Sequence, residues 1–181
     1  MSASAARRRL CAALPLFVAS ITAALLSSAP AASAGVLPSS VGSAAGYQQM
    51  AGDTLTVAQK ASHAADVAIA QIGDPYRYGA EGPDAFDCSG LTMYAYSHAS
   101  LSLPRTSAAQ YGAVRHILKS NLMRGDLVAF HDSSGHVYHV GLFLYWNSEG
   151  RAVIIHSPRT GQNVHRSPVW TTSWYAGTRR P

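Results

Sequence analysis

Cys88 lies in the run Phe86-Asp87-Cys88-Ser89-Gly90-Leu91, after a Gly/Pro loop and before a stretch that favours helix. A helix N-terminus carries roughly half a positive charge, which favours thiolate over thiol. An imidazole beside it would make a Cys–His pair nucleophilic at neutral pH, the starting point of acyl-transfer chemistry. Position alone leaves a buried structural cysteine equally open, although the polar neighbours Asp87 and Ser89 speak against a greasy pocket. A thiol nucleophile needs a base, and the base needs a group to orient it. Of the eight histidines, His63 and His98 fall on helical stretches and His116 in a linker, where structural or exposed roles suffice. His139 opens the apolar run Val140-Gly141-Leu142-Phe143-Leu144, and His156 closes Val153-Ile154-Ile155. On neighbouring antiparallel strands these two side chains approach each other, so that His139 is the base and His156 holds its far nitrogen. Either is also an ordinary strand-end histidine if taken alone. Metal chemistry competes for His131, His136 and His139, with Asp132 close by, because zinc accepts imidazole and carboxylate ligands. Their spacing falls on a turn entering a strand rather than on one helical face, and it matches no metalloprotease helix. No metal is therefore assigned, and no cofactor is expected.

The elements that must position these groups follow from periodicity. Val57, Ala61, Ala64, Ala65, Ala68, Ile69 and Ile72 recur at helical spacing, and Gly73 with Pro75 supplies a stop, which predicts a helix over Thr56 to Ile72. A second helix is predicted from Ser89 to about Ala99, with Asp87 as N-cap, and a short third from Ser107 to Tyr111. The pattern then changes. Leu127 to Phe130, His139 to Trp146, Ala152 to His156 and Val164 to Arg166 read as strands separated by Gly, Asn and Ser turns. Helices first and strands second predict an α+β domain, an antiparallel sheet with helices packed on one side.

The chain has 181 residues, two of them cysteines, with 14 Lys+Arg against 9 Asp+Glu, 48% hydrophobic and 13% charged. This is one domain plus extras. The chain is too apolar for disorder and too poor in cysteine for a disulfide scaffold. Arg7 to Arg9, the uncharged stretch Leu10 to Leu26 and the small-residue exit Ala32-Ser33-Ala34 form the pattern of a secretory signal peptide, placed at residues 1–34. Pro15 and the small residues make that stretch weakly hydrophobic for a membrane anchor. The arginine cluster leaves the twin-arginine export route open. Residues 35–53 read as a flexible Gly/Ser/Ala lead-in, and residues 54–181 as the folded domain. Without the leader the charge falls from +5 to 11 positive against 9 negative side chains. The case for a nucleic-acid partner then disappears. Cys11 leaves as well, so Cys88 is the one remaining thiol, and a lone cysteine in a secreted protein is a candidate reactive group.

Six ordered blocks now form a pattern: Pro75-Tyr-Arg-Tyr-Gly79, Asp87-Cys-Ser-Gly90, Leu103-Pro-Arg-Thr-Ser107, Gly125-Asp126-Leu127, His139-Val-Gly141 and Ile155-His156-Ser157. The series resembles the NlpC-type family of bacterial cell-wall cysteine peptidases, a papain-like α+β clan, from about Thr56 to the C-terminus. The resemblance implies hydrolysis of a peptidoglycan stem peptide, commonly at the bond between γ-D-glutamate and the diamino acid. The leader makes the expected product a secreted or wall-located chain, taken as a monomer with no stable membrane span once the leader is cleaved. The resemblance makes Cys88 the nucleophile, His139 the general base and His156 the orienting residue. Tyr76 matches a tyrosine that lines the site and aids the oxyanion, to which the Cys88 N–H also points. Asp87 and Ser89 match positions that in some members meet the free amine of the stem peptide, and Arg105 and Ser107 lie in a block bordering the groove. Two positions depart from the pattern. Ala80 stands where a second glycine is usual, which matters if that residue needs positive φ, and Arg124 replaces the usual proline before Gly125-Asp126. The rival readings are a related cysteine amidase or acyltransferase acting on another amide bond, and a non-catalytic wall-binding module.

Overall fold

The computed structural model describes residues 55–181. The expected signal peptide and lead-in lie outside the described residues. Helix α1 (Val57–Ala70) starts on a capping box, in which the Thr56 hydroxyl accepts from the Gln59 N–H and the Gln59 side chain accepts from the Thr56 N–H; two orphan donors of the first turn are satisfied at once. Its buried stripe is alanine throughout, at positions 61, 64, 65 and 68, so the helix axis lies close to its neighbours. Gly125 shows how close. With φ at 89°, a Cβ there would lie 1.9 Å from the Ala61 carbonyl oxygen. Arg124, the departure from the usual proline, ties the same turn to α1 through the Ser62 carbonyl at 2.7 Å and Asp66 at 2.7 Å. It is a strut between helix and sheet.

Helix α2 (Cys88–His98) is capped by the Asp87 carboxylate, which accepts from the Gly90 N–H at 2.7 Å. It buries Leu91, Ala95 and Tyr96 against α1 and the sheet, and the Tyr96 hydroxyl donates to the Gly125 carbonyl at 2.7 Å. Helix α3 (Ser107–Gly112) is capped by Thr106. Among the described residues six strands form one antiparallel sheet: β1 (Arg115–Ile117), β2 (Leu127–His131), β3 (Val137–Trp146), β4 (Ala152–His156), β5 (His165–Pro168) and β6 (Trp174–Thr178), in the order β1-β6-β2-β3-β4-β5. The α+β expectation holds, with these main differences. β3 begins at Val137, so His139 is its third residue rather than its first. His116 lies in β1 rather than in a linker. β6, which the periodicity did not announce, lies inside the sheet between β1 and β2. The fourth expected strand begins and ends later, at His165–Pro168.

The sheet buries both faces. Val140, Leu142, Leu144 and Ile155 join the helices in one apolar cluster. Phe130, Phe143, Ile154, Val169 and Trp174 form a second cluster on the other face. Because side chains alternate along a strand, His139 and Gly141 in β3, and His156 in β4, lie on this second face. Two bulges in β3 adjust the alternation. Phe130 pairs with His139 but His131 pairs with Val137, so Tyr138 is the extra residue; Phe143 pairs with Ile154 but Tyr145 with Val153, so Leu144 is the extra one. No helix among the described residues is long and apolar enough to cross a membrane.

Candidate active site

Cys88 is the first residue of α2, and the residues before it are held from three directions. The Asp87 N–H donates to the Ala80 carbonyl at 2.9 Å. The buried Ser157 hydroxyl, just past β4, donates to the Phe86 carbonyl at 2.7 Å, which ties the start of α2 to the strand carrying His156. Gly90 permits the close approach of the preceding loop, since a Cβ there would meet the Ala80 carbonyl oxygen at 2.1 Å. Ala80 itself carries no positive φ; Gly79 takes it, at 77°. The second glycine of the usual pattern is therefore not required by this loop. The buried Gln110 completes the frame, donating to the carbonyls of Ser89 and Pro104 at 2.8 and 2.9 Å and accepting from the Thr92 hydroxyl at 2.6 Å. An isolated glutamine in a short helix offered no sequence signal for this role.

His139 Nε2 lies 2.9 Å from His156 Nδ1, and His156 Nε2 lies 3.1 Å from the Ser167 hydroxyl. Gly141 makes the approach of the two rings possible. It lies opposite His156 in the β3–β4 ladder and on the same face as His139. A Cβ on it would stand 3.1 Å from His156 Cβ and 2.9 Å from the Ile155 carbonyl oxygen. With Nε2 engaged by His156, the free nitrogen of His139 is Nδ1. A lone pair on Nδ1 requires the hydrogen on Nε2, donated to His156 Nδ1; His156 then carries its own hydrogen on Nε2 and donates it to Ser167. Trp170 in the β5–β6 loop closes the pair off. Its ring stacks on Phe130 at 4.3 Å and lies 5.9 Å from His139 and 5.4 Å from His156. Neither Ser167 nor Trp170 could be placed from the sequence, because both come from strand and loop registers set only by the folded sheet.

Burial dominates the electrostatics. It lowers the His139 pKa to about 4. Burial, with the neighbouring His139 and His165 rings, lowers His156 to about 3. Burial also raises the Cys88 thiol, against the N–H groups of Val140 and Ser89, which favour thiolate; the Asp87 charge adds to the rise. The helix start was expected to favour thiolate, but loss of hydration outweighs it. The resting pair is neutral thiol and neutral imidazole. Burial, then the nearby Cys88 and Asp87, raises the Tyr76 hydroxyl, which remains a donor.

Tyr76, Cys88, His139 and His156 line one cavity of about 560 Å³. A second, of about 680 Å³, meets it at Tyr76, Cys88 and Tyr138 and holds Asp87, Ser89, Arg105 and Ser107. The thiol thus stands between two halves of a groove. In the second half Arg105 is not a free surface cation. It donates to both Asp87 carboxylate oxygens, at 3.1 and 2.5 Å, to the Ser89 hydroxyl at 2.9 Å and to Glu81 at 2.7 Å. Burial raises the Asp87 pKa, but Arg105 and the N–H groups of Gly90 and Gly79 outweigh it and hold the carboxyl below its usual range. Asp87 and Arg105 line the cavity, and Glu81 pairs with the same guanidinium from outside the lining. Ser107 lies on the cavity rim, with its hydroxyl in a long 3.5 Å contact to the Val137 carbonyl.

The structure does not assemble the histidines considered for zinc. His131 stacks on Tyr175 with its Nδ1 2.8 Å from the Asp132 carbonyl oxygen, and the Asp132 carboxylate closes a turn by accepting from Ser134 and the His136 N–H. Among the described residues no group of three or more His, Cys, Asp or Glu side chains could hold a metal ion.

Residues 73–180 match the model of the NlpC/P60 family. A probable endopeptidase of Corynebacterium glutamicum is 45% identical over 92 residues, 51% of this chain and 40% of that protein. The chain spans about two fifths of that relative's length. Among solved structures, the peptidoglycan hydrolase RipB of Mycobacterium tuberculosis superposes with a TM-score of 0.57 and 28% identity, over 68% of this chain and 66% of that one. RipD of the same organism, described as a non-catalytic NlpC/p60 domain protein adapted to peptidoglycan binding, gives 0.54 and 27%, over 67% of this chain and 98% of its own. The family match covers more than half of the sequence and includes the thiol and both imidazoles, and on that ground the chain belongs to the NlpC/P60 family.

Proposed function

We propose that this chain is a secreted cysteine endopeptidase that hydrolyses peptidoglycan stem peptides at the bond between γ-D-glutamate and the diamino acid. The observation that carries the reading is the thiol at a helix start sharing one cavity with two hydrogen-bonded imidazoles, His139 Nε2 to His156 Nδ1 at 2.9 Å. Cys88 Sγ attacks the amide carbonyl carbon while its proton passes to His139 Nδ1. The resulting oxyanion is stabilised by the Cys88 N–H and the Tyr76 hydroxyl. His139 returns the proton to the leaving amine nitrogen, the C–N bond breaks, and a thioester remains. Water then loses a proton to His139 Nδ1 and attacks the thioester carbonyl. The C–S bond breaks, and the thiol regains its proton. His156 orients His139 throughout and accepts the Nε2 hydrogen when the ring is charged.

The Asp87 carboxylate, held ionised in the second half-groove, supports a substrate with a free amino terminus, because it offers an acceptor and an opposite charge to an ammonium group. The relatives named as an endopeptidase and a peptidoglycan hydrolase support the substrate class. RipD supports the rival, a wall-binding domain without catalysis. The complete Cys88–His139–His156 set in this chain favours catalysis. Incubation of the full chain with defined muropeptides, followed by mass spectrometry of the products, tests both the chemistry and the bond. Two fragments split between γ-D-glutamate and the diamino acid are expected. Opening of another amide bond would make the chain an amidase or transferase of the same machinery, and intact muropeptide would leave only binding.

A further inference from the structure

The second apolar face ends in a cleft that the reaction does not use. The chain has three tryptophans, and Trp146, Trp170 and Trp174 all line this one cavity of about 460 Å³, together with Lys119, Arg151 and Thr172. The volume falls within the roughly 300–1,000 Å³ of small-molecule sites. Two of the indoles are open to solvent, Trp170 at 53% and Trp146 at 41%, while Trp174 is buried. The bulge at Leu144 turns Trp146 to this side, where its ring lies 5.4 Å from Phe143. Trp170 is held rigid by its stack on Phe130. Concentrated exposed aromatic surface on a soluble domain marks a binding site, and preorganised indoles lose little entropy on contact.

The chemistry of the rim selects the occupant. The cations are already engaged. Lys119 lies 4.2 Å over the Trp174 ring and donates to the Thr172 carbonyl at 2.9 Å, and Arg151 pairs with Glu149 at 2.6 Å. With no free charge facing it, the cleft suits an uncharged ligand with one apolar face and a polar edge. A pyranose ring is built that way: axial C–H groups lie against an indole and hydroxyls reach the threonine and guanidinium rim. Trp170 lines this cleft and the cavity of Cys88 alike, so a polymer in one extends into the other. Building on the peptidoglycan reading above, we propose that the cleft of Trp146, Trp170 and Trp174 binds sugar rings of the glycan strand and holds the polymer while a stem peptide occupies the groove at Cys88.

All three tryptophans line the cleft, so intrinsic fluorescence reports on it; Trp170 also faces the Cys88 cavity, so the difference between wild type and the Trp146 variants is the readout specific to the cleft. Titration of the full chain with peptide-free glycan strands is expected to give a saturable fluorescence change, weakened at least tenfold by Trp146→Ala and largely kept by Trp146→Phe. Trp146→Ala should cleave a free stem peptide at the wild-type rate and digest intact sacculi several-fold more slowly. A flat titration, equal binding by Trp146→Ala, or a fluorescence change given only by an anionic wall polymer or a sugar-free peptide overturns the inference. A chain that cleaves the free peptide but ignores the glycan leaves the peptidase reading standing. A chain that binds the glycan but leaves the peptide intact sinks that reading instead.

Discussion

At the scale of single residues the site is a neutral pair made reactive by its neighbours. Burial holds His139 uncharged down to about pH 4 and raises the Cys88 thiol. The competent form, free imidazole beside thiol, therefore persists well below the ordinary imidazole range. The acidic limb of kcat/KM on a free stem peptide is expected well below pH 6.5 and the alkaline limb above the ordinary thiol range; an acidic limb at 6.5 would mean that water reaches the rings. His156 is expected to act on kcat through orientation. His156→Ala should lower kcat by about a hundredfold with little change in KM, and His156→Asn, whose carbonyl still accepts from His139 Nε2, should recover part of the loss. Steady-state kinetics of the two variants checks this, and equal losses in both would show that a bare gap, not the lost acceptor, is responsible. The residue types were legible in the sequence because a lone thiol after a Gly/Pro loop and two histidines flanking apolar runs are local features. Arg105, Ser167 and Trp170 were not legible in their contacts, since each meets its partners only across strands and loops far apart in the chain.

At the scale of elements, the close approach of β3 and β4 brings the imidazoles together. Gly141→Ala places a methyl group 2.9 Å from the Ile155 carbonyl oxygen and 3.1 Å from His156 Cβ, so the strands must part. Overpacking of this kind costs about 1–3 kcal/mol, and kcat should fall more than stability alone accounts for, because His139 and His156 separate. Urea unfolding alongside kinetics measures both; a stable and fully active variant would contradict this account of the ladder. The helices were readable from apolar spacing and, for α2, from the cap Asp87, which is local chemistry; the caps Thr56 and Thr106 are seen only in the structure. β6 was not readable. Its run Trp174-Tyr175-Ala176-Gly177-Thr178 lacks clean alternation, and Gly177 weakens any strand signal. The folded sheet explains that glycine, since a Cβ there would meet Val114 at 2.5 Å. The three-residue β1 has no pattern of its own and exists because β6 pairs with it.

At the scale of the whole molecule, the buried imidazoles couple stability to pH. In the unfolded chain a histidine takes up a proton near pH 6.5; in the folded chain His139 and His156 do so only near 4 and 3. Between these values the unfolded state binds more protons, so stability falls as pH drops from 6.5 toward 4, by up to about 1.4 kcal/mol per pH unit for each ring. Above 6.5 the pair contributes no slope. Urea midpoints at pH 7, 6 and 5 should decline, and less steeply in His156→Gln; a flat profile would contradict burial of neutral rings. The overall charge, +5 for the full sequence, carries less information than these two buried imidazoles. The central claim is that Cys88 is the nucleophile of a peptidase, and its most direct test is cleavage of defined muropeptides by the full chain and by Cys88→Ala, with the fold of the variant confirmed by its unfolding midpoint. Cleavage by the wild type and none by the variant is the predicted result; a folded Cys88→Ala chain that still cleaves at a comparable rate would contradict it.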